Sequence, residues 1–262
     1  MIEISELRCT HFKGDGKEVI KGLNFTLSGN KVAIVGPNGS GKTSLLRACV
    51  GLMNITHGYV KINGKDVSKI RNMDGIATNL AEVYKLLNLD IHNLITLYSE
   101  ITHSREEEFL QNISDFSLED ILKKKIYSLS TGQSKMFCNI MALSSNPGTL
   151  LLDEPFDGVD QRRKVILLKR LNSFPGEIVI NTHEFNIVKN LKGWNLYLLI
   201  DGGLYGPFST QDVGRLFFTI GQKENALLVL NLPYGTFSIT SGEGDIPFSE
   251  VNTLENLMEA DF

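Results

Sequence analysis

Three cysteines in 262 residues are too few and too far apart for a disulfide frame or a metal site. Cys9, Cys49 and Cys138 form no Cys-x-x-Cys pair, and Cys49 and Cys138 sit among apolar neighbours in helical patterns, as reduced core residues of a cytosolic protein do. Long apolar runs are missing too. No stretch reaches the ~18–20 residues that a membrane-spanning helix needs, and Met1-Ile2-Glu3-Ile4 lacks the basic segment and apolar run of a signal peptide. A membrane role would therefore come through a partner. Positive charge is scarce: a net charge of −4 provides no basic field for nucleic acid or anionic lipid. The Lys123-Lys124-Lys125 run reads as a solvated turn. Internal repeats and low-complexity tracts are absent. What remains, 42% apolar and 21% charged residues, is an ordinary soluble globular composition, enough for one large domain or two modest ones.

Residues 2–35 alternate in strand fashion around a Gly14-Asp15-Gly16 turn, and Tyr59–Ile62 before Asn63-Gly64 reads as a hairpin strand with a tight turn. Over residues 80–126 apolar side chains recur at helical spacing, enough for three or four short helices. Strands return at Thr149–Leu152 and Glu177–Asn181, so strands alternating with helices predict a parallel α/β core with a helical insert. Beyond residue 195, Leu196–Ile200 and Leu204–Tyr205 flank Asp201-Gly202-Gly203 as a hairpin. Val213–Thr219 reads as helix, Ala226–Leu230 and Thr236–Thr240 as strands, and Leu254–Met258 as a closing short helix.

The most informative segment is Gly36, Pro37, Asn38, Gly39, Ser40, Gly41, Lys42 and Thr43, following the apolar run Val32–Val35 and running through Ser44 into a helix of about Thr43 to Val50. This is G-x-x-x-x-G-K-[ST] in strand–loop–helix context, a phosphate-binding loop. Its glycines let backbone N–H groups turn inward around phosphate oxygens. Lys42 supplies charge for the β- and γ-phosphates, Thr43 a hydroxyl for Mg²⁺, and the helix its positive end.

Residues 149–155 read Thr-Leu-Leu-Leu-Asp-Glu-Pro, a buried strand ending in two adjacent acids. Charges there are costly unless neutralised. Mg²⁺ at Asp153 would do so, leaving Glu154 to orient or deprotonate a water; the alternative is a pair of acids that only cap the next turn. Leu129-Ser130-Thr131-Gly132-Gln133 precedes a helical pattern over Ser134–Ser144 that Ser130 can cap, which alone would pass for a common helix start.

Together, the phosphate loop, the Leu-Ser-x-Gly-Gln segment, Leu-Leu-Leu-Asp-Glu-Pro and the His of Asn181-Thr182-His183-Glu184 closely resemble the ATP-binding cassette (ABC) ATPases over roughly residues 1–208. The resemblance implies a P-loop NTPase core (a parallel sheet flanked by helices) with an N-terminal antiparallel β-subdomain, a helical insert over about 80–145, and a small C-terminal α+β extension at 209–262. It makes Gly36 to Thr43 the Walker A loop, and Asp153 and Glu154 the Walker B aspartate and catalytic base. Leu129 to Gln133 become the signature loop, Gly158-Val159-Asp160 the D-loop and His183 the switch histidine. Phe12 falls where the family stacks an aromatic on adenine, although it would serve equally as a core strand residue. Thr131 stands in place of a more usual glycine, and Met136 where many members carry arginine. No glutamine occupies the expected Q-loop; Asn79, after a strand at Gly75–Ala77, is its counterpart, one methylene shorter, and a candidate Mg²⁺ contact.

The resemblance further implies a cytoplasmic ATPase that binds ATP and Mg²⁺. Two subunits, identical or different, would close head-to-tail around two nucleotides. The chain would lie on the inner face of the membrane through a transmembrane permease docked on the insert. Glu-Pro-Phe-Asp-Gly-Val-Asp is similar to an exporter-type version of its motif. The rival reading is a soluble ABC ATPase, for example in iron–sulfur cluster assembly. The tail from 209 would either pack on the core or dimer contact, or form a small ligand-sensing module.

Overall fold

The computed structural model describes residues 2–11, 16–27, 31–69, 75–232 and 235–248. In chain order the elements are β1 (Ile2–Thr10), β2 (Ile20–Leu27), β3 (Lys31–Val35), α1 (Lys42–Cys49), β4 (Asn54–Ile62), β5 (Lys65–Asp66) and β6 (Ile76–Thr78). Then follow α2 (Ala81–Tyr84), α3 (Ile91–Ile101), α4 (Glu106–Asp115), α5 (Thr131–Ser144), β7 (Thr149–Asp153), α6 (Gln161–Ser173), β8 (Glu177–Thr182) and α7 (Phe185–Val188). The chain continues through β9 (Asn195–Ile200), β10 (Gly203–Ser209), β11 (Leu216–Ile220), β12 (Leu228–Leu232), β13 (Gly235–Ser241) and β14 (Ile246–Pro247).

A six-stranded sheet of order β10-β9-β3-β8-β7-β6 forms the centre, parallel except for the β9–β10 hairpin. Parallel strands are covered on both faces and so read as continuous apolar runs. Successive residues feed two cores. Ala33, Val35, Leu150, Leu152, Ile178 and Ile180 face the helical side, while Val32, Ile34, Leu151 and Val179 face the side closed by α1 and the antiparallel sheet β2-β1-β4-β5.

The order β3-β8-β7 decides where chemistry can happen. Register pairs Val35 with Thr182 and Asp153 with Asn181. The residues after β3, β7 and β8 therefore emerge side by side at one sheet edge, where ligands of parallel α/β proteins bind.

The insert is helical, as its spacing predicts. Ile91, Leu94 and Ile95 of α3 and Phe109 and Ile113 of α4 turn inward. Asp90 starts α3 by accepting the Asn93 N–H at 2.9 Å, and Glu106, Glu107 and Glu108 lie at the positive end of α4.

The expected helix at Val213–Thr219 is not formed. Val213–Arg215 makes a single 3₁₀ turn, and Leu216 onward is strand, paired to β13 on one side and β14 on the other. The Val213/Leu216 spacing mimics a helix, but Leu216 and Phe218 bury with period two, and pairing on both edges outweighs local spacing. The sheet β12-β13-β11-β14 is not a separate body. Phe248 stacks on Phe218 with centroids 4.3 Å apart and meets Phe185 and Phe208 edge-on at 6.0 and 6.4 Å, so this sheet shares the helical-side core. The expected helix at 254–258 lies outside the described residues, as does Phe12. No helix among the described residues is long and apolar enough to cross a membrane.

Candidate functional site

The phosphate loop joins β3 to α1. A Cβ on Gly36 would lie 2.1 Å from the Leu199 carbonyl oxygen, so only glycine lets the loop leave β3 this close to β9. Gly41, at φ 98°, starts α1 without a side-chain cap, which leaves the first-turn N–H groups open to a ligand. Lys42 is buried, and its ammonium donates to the Gly36 and Pro37 carbonyls at 2.8 and 2.9 Å, spanning the loop.

Thr43 Oγ1 donates to Asp153 Oδ1 at 2.9 Å and lies 3.0 Å from Oδ2. Asn181, fully buried at the end of β8, donates its amide to the Lys42 carbonyl and to Asp153 Oδ1, knitting three elements at one point. Among the described residues two buried side-chain polar atoms lack a protein partner: Ser40 Oγ in the loop and Asn181 Oδ1 beside Asp153. The Ser40 hydroxyl in the loop can donate to a bound phosphate, and the Asn181 oxygen, which only accepts, suits water around its cation. Among the described residues no cluster of three or more His, Cys, Asp or Glu is set to hold a metal. A cation here would rest on the hard oxygens of Thr43 and Asp153 and on those of its ligand, a donor set suited to Mg²⁺.

Glu154 follows directly, at φ +43°. Its N–H donates to the Asn181 carbonyl at 3.0 Å. Its carboxylate faces His183, with Oε1 3.0 Å from Nδ1 and Oε2 accepting the His183 main-chain N–H at 3.2 Å. The loop after β8 is steadied by Thr182 Oγ1 on the Glu184 N–H at 3.1 Å and by the Lys164–Glu184 pair at 2.7 Å.

Ser130 caps α5 as its sequence suggests. It accepts the Gln133 N–H at 3.2 Å, and Gln133 Oε1 accepts the Ser130 N–H at 3.2 Å, a reciprocal capping box. Ser130 and Thr131 are exposed. Gly132 packs so closely on the loop after β7 that a Cβ would lie 2.4 Å from the Gly158 oxygen. Asp160 caps α6, accepting the Arg163 N–H at 3.1 Å and pairing with its guanidinium at 2.9 Å; these contacts hold its carboxyl below the usual range.

Asn79 follows β6 and meets the end of β7. Its side chain is buried and turned onto main chain, with Oδ1 accepting the Asp153 N–H at 2.7 Å and Nδ2 donating to the Asp153 carbonyl at 3.0 Å. The amide continues the β6–β7 ladder by bonding both main-chain groups of Asp153, the residue whose carboxylate meets Thr43.

Two clefts flank the loop. One of about 430 Å³ is lined by His11, Glu18, Val19, Lys21, Ser40 and Asp201. The other, of about 400 Å³, lies between Arg47, Asn79, Lys85, Tyr127, Lys135 and Asp153. Sequence reasoning assigned no role to Asn139, Asn181 or Lys135. For Asn139 the available signal was one amide inside the apolar stripe Met136, Phe137, Ile140, Met141.

The sequence profile of the ABC transporter family matches residues 20–157, more than half of the chain. The methionine import ATP-binding protein MetN of Clostridium acetobutylicum is 30% identical over 251 residues, covering 87% of this chain and 76% of that one. A solved structure described as a cobalt transport ATP-binding protein is 33% identical, covers all of both chains and superposes with a TM-score of 0.91. A dimeric ATP-binding cassette in a post-hydrolysis state with ADP and Pi shares the fold at TM-score 0.68 and 21% identity, over 80% of this chain and 99% of that one. The chain belongs to the ABC transporter family, as an ATP-binding-cassette ATPase.

Proposed function

We propose that this chain is the motor subunit of a transporter. Two copies, or one copy and a related cassette, close head-to-tail around two MgATP and drive a separate membrane permease. The observation that carries this reading is the convergence of Lys42, Thr43, Asp153, Glu154 and His183 at the ends of β3, β7 and β8. In it Lys42 leaves its two loop carbonyls for the β- and γ-phosphates, and the N–H groups of residues 39–43 hold the phosphate oxygens. Thr43 and Asp153 would hold Mg²⁺, which neutralises phosphate charge. Glu154 takes the proton of the attacking water, and His183 holds the carboxylate from the opposite side. The exposed Ser130 loop would complete the site of the opposite subunit.

The insert carries the surface for the permease. Leu86, Leu87 and Tyr127 are exposed apolar residues, and Tyr127 donates its hydroxyl to the Lys85 carbonyl at the mouth of the Asn79 cleft. The relative with an import role in its name favours import over the export suggested by Glu-Pro-Phe-Asp-Gly-Val-Asp. Size-exclusion chromatography of the Glu154→Gln chain tests the core of the proposal. We expect a dimer in saturating MgATP and a monomer without it; a monomer in both removes the self-dimer. Pull-down of that variant from detergent-solubilised cells should recover a multi-span membrane protein. Recovery of soluble partners alone favours the cytosolic alternative.

A further inference from the structure

Outside the nucleotide contacts, the most tightly built polar feature is a pair of buried amides. Asn139 lies on α5 and is fully buried; Asn79, between β6 and α2, is nearly so. Asn79 Nδ2 donates to Asn139 Oδ1 at 2.7 Å, and Asn139 Nδ2 donates to the Pro155 carbonyl at 2.7 Å. The orientation of both amides is fixed by their partners. The Asp153 N–H can only donate, so it demands Asn79 Oδ1; the Pro155 carbonyl can only accept, so it demands Asn139 Nδ2. The pair thus grips the main chain on both sides of Glu154, at Asp153 and at Pro155. Lys135, one turn earlier on α5, adds a third hold through the Asp153 carbonyl at 3.0 Å.

Glu154 itself sits at φ +43°, a conformation that a non-glycine residue keeps only when its surroundings enforce it. Its carboxylate reaches His183 from that conformation. A strained residue held on both flanks by buried amides is a positioned residue. The helix that supplies one of those amides also begins at Ser130, nine residues or about 2.5 turns earlier.

We propose that Asn79 and Asn139 form a clasp that positions Glu154, and that α5 ties each chain's base to its own Ser130 loop. The clasp rests on the reading of Glu154 as general base. In the closed dimer, engagement of Ser130 by the nucleotide of the opposite subunit would pull on α5 and, through Asn139, on the Pro155 carbonyl and on the Asn79 amide that holds Asp153. One site thereby reports occupancy to the other without a contact between the two nucleotides. Both asparagines are positioning residues, since neither reaches the place of the phosphates.

The test uses the full chain. Asn139→Leu removes its hydrogen bonds to Asn79 and Pro155 at similar volume in a buried helical position, and Asn79→Ala opens the clasp from the other end. ATP turnover, nucleotide affinity and melting temperature are measured for each change, for the pair together, and in the Glu154→Gln background. We expect kcat to fall roughly 10- to 100-fold, with KM and nucleotide affinity within about twofold of the parent. The double variant should lose no more than the worse single one, because the two amides act as one hydrogen-bonded pair. Neither change should lower the residual turnover of Glu154→Gln, where no base remains to be positioned. A rise in KM at unchanged kcat, or a further fall in that background, overturns the clasp as a positioning device. If Asn139→Leu does not fold, Asn79→Ala carries the same readouts. If Glu154→Gln turns over like the parent, the reading of Glu154 falls and the clasp with it. If Glu154→Gln is silent while the clasp variants keep the parent kcat, the clasp alone falls.

Discussion

His183 Nδ1 lies 3.0 Å from Glu154 Oε1, and the His183 main-chain N–H reaches Oε2 of the same carboxylate at 3.2 Å. One residue thus holds both oxygens of its neighbour, by ring and by backbone. Replacing the ring leaves the backbone bond in place. We expect His183→Ala to lower ATP turnover by about 10²-fold or more, the scale of a general-base contribution, with ATP binding preserved. Steady-state turnover beside equilibrium binding of a fluorescent ATP analogue decides it; loss of binding would assign His183 a different part.

Lys42 spans the phosphate loop through two carbonyls, so its removal affects loop shape as well as phosphate charge. Lys42→Ala should abolish nucleotide binding in calorimetry while circular dichroism shows a folded chain. Tight binding by this variant would undo the assignment of the loop.

Gly36→Ala places a methyl group 2.1 Å from the Leu199 carbonyl oxygen, which is strand backbone and yields poorly. Overpacking of this kind costs about 1–3 kcal/mol. A lowered denaturant midpoint together with weakened ATP binding is the expected pair of effects, and an unchanged midpoint would show that β9 gives way.

Burial pushes the Cys49 and Cys138 thiols up from an ordinary value of 9.0 to about 12. Native protein at pH 8 should resist a thiol reagent at both positions and react once unfolded. The unfolded chain releases these protons near pH 9 and the folded chain only near 12. Their contribution to stability is therefore complete below pH 9 and declines as pH rises through that window. Denaturant titrations at pH 8 and pH 10.5 read the difference; labelling of the native chain at pH 8 would show that the two sites open.

The phosphate loop was legible in the sequence because its function is local: one strand, one turn and one helix start are specified within a dozen consecutive residues. Ser130 as a helix cap was legible for the same reason. Asn139 was not. Its partners are 60 residues away at Asn79 and 16 away at Pro155, and helical spacing marks its position as core whatever occupies it. Asn79 is a second case. The edge of β7 beyond Thr78 leaves the N–H and carbonyl of Asp153 to be satisfied, and the Asn79 amide does so, a need that no local reading of residues 75–80 shows. Leu216–Ile220 was misread because sheet pairing at both edges is invisible to a window of seven residues.

The Phe248 contacts bear on any attempt to shorten the chain. The motif-bearing segment closes near residue 208, but Phe185, two residues beyond His183, and Phe208 both lean on a ring that arrives forty residues later. A fragment ending at 208 would keep the motif segments and still expose these rings to water. Through Phe248 the last described strands act as the far wall of the segment that follows His183, a support supplied by residues distant in sequence.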